Sequence, residues 1–74
     1  MSVVKLDTTG LRCPEPILKI AAKLMDMKPG DVLEVIGDCS TFERDVRNWC
    51  KRMKKTLLFI KDEGAGRISC QIQF

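Results

Sequence analysis

The chain's chemistry centres on its thiols. Four cysteines stand at 13, 39, 50 and 70, and there is no histidine. Without histidine there can be no Ser-His-Asp triad, no internal Cys-His dyad and no imidazole metal ligand. No two cysteines form a Cys-x-x-Cys pair, so zinc-ribbon spacing is absent and no metal site is expected. Cys13 has the most distinctive surroundings, in Arg12-Cys13-Pro14-Glu15-Pro16. Two prolines at a helix start stiffen the entry loop where backbone N–H groups have no helical partner. A thiol within one turn of a helix N-terminus gains from the helix dipole. Arg12 also favours its thiolate, whereas Glu15 opposes it. The expectation is a modestly activated nucleophile; the alternative is a small residue filling a turn.

The surrounding elements must place that thiol. Val3-Val4-Lys5-Leu6-Asp7 reads as a first strand, closed by Thr8-Thr9-Gly10. After Pro16, Ile17, Ile20, Ala21, Leu24 and Met25 fall on one helical face, and Pro29-Gly30 ends that helix. Val32 to Ile36 is apolar enough for a central strand. Ser40 and Glu43 have capping-box spacing and predict the start of a second helix. Phe42, Val46, Trp49, Cys50 and Met53 form its inner face. Thr56 to Lys61 is a third strand, and Asp62 to Gly66 is a turn. Arg67 to Phe74 alternates, with Ile68, Cys70, Ile72 and Phe74 inward. The last two runs therefore read as a hairpin. The order βαβαββ predicts an α/β (α+β) two-layer sandwich: a four-stranded mixed sheet with two helices on one face. The whole chain, 1–74, is expected to form one domain.

The composition narrows the function classes. At 74 residues, roughly 60–65% of the unfolded surface is buried, which leaves little room for a deep enclosed pocket. No apolar stretch approaches the ~20 residues of a membrane span, and Met1-Ser2-Val3-Val4-Lys5 lacks the build of a signal peptide. A cytoplasmic, reducing setting is the default expectation. The net charge of +3 is mild and only 5% of residues are aromatic, which argues against direct nucleic-acid binding.

The run Leu6-Asp7 to Gly10-Leu11-Arg12-Cys13-Pro14-Glu15-Pro16 resembles the N-terminal signature of the TusA/SirA sulfur-carrier family, marked by Cys-Pro-x-Pro at the first helix. The resemblance continues through Lys28-Pro29-Gly30-Asp31, Asp38 to Asp45 and Trp49-Cys50, in the same βαβαββ order. It implies that Cys13 accepts a sulfur atom as a persulfide and hands it to another protein. A cysteine desulfurase or other persulfide donor would supply the sulfur. A downstream acceptor would lead to tRNA thiolation, molybdenum-cofactor maturation or other sulfur metabolism. The chain would be a relay component rather than an enzyme turning over a small molecule alone, and no cofactor is implied. Arg12, Pro14, Glu15 and Pro16 form the supporting motif. Two positions depart from the family pattern: Cys39 stands where proline is usual, and Lys54 where glycine is frequent after the second helix.

Both parallel strands should deliver their C-terminal ends to one edge, which makes the loops after them neighbours. Arg12 and Arg44 are then expected to flank the thiol and guide a partner. Neighbouring strands are about 4.8 Å apart, which would bring Cys13 and Cys39 within roughly 10 Å, so Cys39 is a possible second thiol. Cys50 and Cys70 read as core residues. Asp38 and Asp45 read as loop-shaping or capping residues, with Asp45 also able to pair with a base. Lys51, Arg52, Lys54 and Lys55 form a basic cluster, either a solvated helix end or a landing patch for an acidic partner or RNA. Two other classes remain in view: an RNA-binding module of the same topology, as in the C-terminal domain of translation initiation factor three, and a dithiol redox protein using Cys13 and Cys39.

Overall fold

The computed structural model describes residues 2–12 and 15–74; Cys13 and Pro14 lie outside the described residues. The elements are β1 (Val3–Asp7), α1 (Glu15–Lys23), β2 (Val32–Gly37), α2 (Phe42–Met53), β3 (Thr56–Gly64) and β4 (Arg67–Gln73). They form one mixed sheet of order β1-β2-β4-β3. β1 lies parallel to β2, and β4 is antiparallel to both β2 and β3. The expected order and hairpin are both present. The hairpin's second strand is inserted at the centre, beside β2.

The period of two sorts the sheet into two faces. Leu33, Val35, Cys70 and Ile72 are fully buried and meet Ile20 of α1 and Phe42, Val46, Trp49 and Cys50 of α2 in one core. Both helices therefore cover the same face. The opposite face carries Lys5, Glu34, Gln71 and Ser69, whose polar heads pair with one another or stand in water. β3 is an outer strand, and its register shifts between Leu57 and Phe59 and between Asp62 and Gly64. Such bulges twist an edge away from pairing with another chain.

Several boundaries differ from the sequence expectation. α1 ends at Lys23 rather than running on toward Pro29-Gly30. Its last turn tightens into three-residue hydrogen bonds, Leu24 N–H to Ala21 C=O at 3.1 Å and Asp26 N–H to Lys23 C=O at 2.9 Å. Rotation changes there, so Met25 points outward at 92% exposure and Met27 takes its place against the core. Ala21 is exposed and Pro16 buried, so the inner face of α1 is narrower and begins earlier than periodicity implied. Met53 is also more exposed than expected, at 38%, because it lies in the last turn of α2. β3 continues through Gly64, so the hairpin loop is only Ala65-Gly66. Both residues have positive φ, as a type I′ turn demands.

α2 begins one residue later than the capping-box reading. Thr41 is its N-cap, with no side-chain cap bond. The Thr41 hydroxyl instead donates to Asp45 Oδ2 at 2.9 Å, while Asp45 N–H donates to the Thr41 carbonyl. At the other end Lys54 adopts the left-handed conformation, φ 57°, and Lys55 N–H closes on the Cys50 carbonyl at 2.9 Å. That is the position where the resembling family often has glycine, and the backbone shows why glycine suits it. Among the described residues, no helix is long and apolar enough to cross a membrane.

Candidate functional site: a cleft between two loops

Parallel pairing of β1 and β2 puts their exit loops side by side, and specific bonds tie the loops together. Thr8 is completely buried, and both its amide and its hydroxyl donate to the Ile36 carbonyl, at 2.8 and 2.7 Å. Gly10 N–H donates to Asp38 Oδ1 at 2.9 Å, crossing from the first loop to the second. Asp38 therefore shapes the loops rather than capping α2. Asp7 accepts from the Thr9 hydroxyl and amide, which holds its carboxyl below the ordinary carboxylate value. Leu11 N–H returns to the Thr8 carbonyl at 3.2 Å and closes the turn.

Gly37 makes this junction possible. A Cβ placed there would lie 2.6 and 2.7 Å from Phe42 ring carbons and 2.8 Å from the Thr8 hydroxyl. The ring of Phe42 thus rests on the bare backbone at the end of β2. This packing sets where α2 starts.

Between the loops lies a cleft of ≈ 510 Å³, lined by Gly10, Leu11, Arg12, Asp38, Cys39, Ser40, Thr41 and Arg44. Arg12, Arg44 and Cys39 are thereby brought to one place. Arg12 is exposed, and its carbonyl accepts from Glu15 N–H at 2.7 Å. Arg44 lies 3.7 Å from Asp45 Oδ1 and remains 69% exposed. Cys39 is half-buried, its sulfur 3.4 Å from the Thr41 hydroxyl. Glu15 is exposed and Pro16 buried at the start of α1. Cys13 and Pro14, the centre of the sequence motif, lie outside the described residues, although Arg12, immediately before Cys13, lines the cleft.

The other two cysteines are removed from this chemistry. Cys50 and Cys70 are 4% and 0% exposed. Burial pushes the Cys50 thiol up, and pushes Cys70 up to about 12. A thiol that stays protonated is a poor nucleophile. Their expected core role is the one they have.

Sequence reading missed Gly37, Thr8 and the Gly10–Asp38 bridge. Gly37 ends an apolar strand, which gives a weak signal of close backbone approach. The pairing of Gly10 with a residue 28 positions away leaves no local trace.

The arrangement is an open cleft with two arginines, Asp38 and a half-buried thiol in its lining. The family model described as Sulfurtransferase TusA matches residues 4–73. The match runs from β1 to β4 and takes in both loops of the cleft, so the chain belongs to the TusA sulfurtransferase family.

Proposed function

We propose that the protein is a sulfur carrier in which Cys13 holds the transferred sulfur as a persulfide. The observation that carries this reading is the Cys13-Pro14-Glu15-Pro16 motif in a chain matched by the sulfurtransferase family from residue 4 to 73. The chemistry needs a thiolate, an approachable surface and a partner, not a pocket. The Cys13 thiolate attacks the outer sulfur of a donor persulfide, the donor's S–S bond breaks, and the donor leaves as its thiolate. Delivery is the same step in reverse, with an acceptor thiolate attacking the outer sulfur on Cys13.

Arg12 and Arg44 take the docking role in this account, as exposed cations on two sides of the cleft. Exposed charges steer encounter over about 8 Å at physiological ionic strength. Cys39 is proposed as a second station: its thiolate can take the outer sulfur from Cys13 and leave Cys13 as thiolate. Its place in the cleft supports that role, which a proline could not fill. The protein is proposed to work in the cytoplasm, between a cysteine desulfurase or similar donor and a sulfur-accepting protein.

The test is persulfide loading by a cysteine desulfurase and cysteine, followed by intact mass. Wild type is expected to gain one sulfur, Cys13→Ser none, and Cys39→Ser to load but deliver more slowly. Full delivery by Cys39→Ser assigns that residue to the loop alone. Normal loading of Cys13→Ser overturns the carrier assignment.

A further inference from the structure

Arg44 lines two depressions. One is the cleft beside the loops; the other, of ≈ 410 Å³, is lined by Arg44, Arg47, Asn48, Cys50, Lys51, Lys55 and Leu57. The two share Arg44, and their linings together reach from Arg12 along α2 to the start of β3. Arg44, Arg47 and Lys51 recur at three- and four-residue spacing and share a helical face, with Lys55 beyond the helix end. Along the axis of α2 the backbone positions of Arg44, Arg47 and Lys51 rise by about 5 Å from one to the next. Arg47 is paired with Glu43 at 3.1 Å and Arg44 with Asp45 at 3.7 Å. Among the described residues, neither Lys51 nor Lys55 forms an ion pair. Among the described residues, the second depression has no carboxylate in its lining, and Cys50 and Leu57 give it an apolar floor. Lys55 is held in place over the Phe74 ring, 5.1 Å from its centre.

We propose that this groove is the docking track for an acidic, amphipathic segment of the partner protein that gives or takes the sulfur. Carboxylates of that segment meet the row of cations, and its aliphatic side chains rest on Leu57 and Cys50. The continuity through Arg44 delivers the segment's neighbouring residues to the Cys39 cleft. A protein segment fits better than RNA. Among the described residues, no aromatic side chain lines either depression to stack a base, whereas the apolar floor suits aliphatic groups. The basic cluster at the end of α2 is thereby divided: Lys51 and Lys55 face the groove, and Arg52 and Lys54 do not line it. This inference deepens the sulfur-relay reading, because it gives the chemistry of the partner surface.

The test uses the Cys13→Ser protein, which isolates docking from sulfur loading. The probe is a fluorescent synthetic helix-forming peptide of glutamate and leucine, titrated at low ionic strength beside an oligouridylate of equal charge. Lys51→Glu with Lys55→Gln is compared with Arg52→Glu with Lys54→Gln, an equal change of charge off the groove. Saturable peptide binding is expected, weakened about tenfold by the groove pair and less than about twofold by the other. Amide shifts should centre on Arg44, Arg47, Asn48, Lys51 and Leu57. The single exposed changes Lys51→Glu and Arg52→Glu repeat the contrast without touching the Lys55–Phe74 contact. Equal weakening by both pairs, tighter binding of the oligouridylate, or no saturable peptide binding overturns the proposal. Failure of the protein with Cys13 intact to gain sulfur from a cysteine desulfurase and cysteine, with peptide docking retained, would instead count against the carrier reading.

Discussion

At the scale of single residues, two backbone positions and one thiol carry testable consequences. Gly37→Ala puts a methyl group against the Phe42 ring and the Thr8 hydroxyl, both fully buried. Neither neighbour is the free end of a flexible chain, so about 1–3 kcal/mol of stability should be lost in urea unfolding. At Lys54 the sign reverses. Its left-handed backbone, φ 57°, penalises a side chain, so Lys54→Gly should raise stability by about 0.5–1 kcal/mol with an unchanged m-value. Cys70 sets an alkaline limit. Its folded value lies near 12 and its ordinary value is 9.0, so between these the unfolded chain releases a proton that the folded chain keeps. The stability it contributes is complete below pH 9.0 and declines as pH rises toward 12, by up to about 1.4 kcal/mol per pH unit. Cys70→Ala should flatten that part of the stability–pH curve. The core role of Cys70 was legible in the alternation of β4. The tight fit at Gly37 was not, because it depends on where Phe42 arrives from a different element.

At the scale of elements, the loops after β1 and β2 act as one unit. The Gly10–Asp38 and Thr8–Ile36 bonds join them across 28 residues of sequence. Asp38→Ala should cost about 1 kcal/mol and raise amide exchange at Gly10 and Leu11 more than in β4, measured by NMR. Strand positions and inward faces followed from period two and apolar runs, and β2 and β4 match them closely. Helix ends did not follow. α1 lost its last predicted turn because Leu24 to Asp26 take three-residue bonds, although Met25 continued the apolar pattern. The Ser40–Glu43 spacing suggested a capping box, but Thr41 sits at the N-cap and uses its hydroxyl on Asp45. Local motifs name the residues able to cap; packing of Phe42 on Gly37 decides which one does.

At the scale of the whole molecule, the topology gathers the cleft from distant segments. β1 and β2 must run parallel for Arg12, Cys39 and Arg44 to meet, and the βαβ order makes that legible in the sequence. The groove along α2 was legible only as a cluster of charges, since its depth depends on how β3 returns beside the helix. The account's central claim is that Cys13 carries the sulfur. The direct measurement is intact mass of wild type and Cys13→Ser after incubation with a cysteine desulfurase and cysteine. Tandem mass spectrometry then locates the added sulfur. The account predicts one added sulfur on the peptide containing Cys13 in wild type, and none on the variant. An equal gain by Cys13→Ser, or, in Cys39→Ser, a sulfur found on another cysteine while Cys13 stays unmodified, would contradict it.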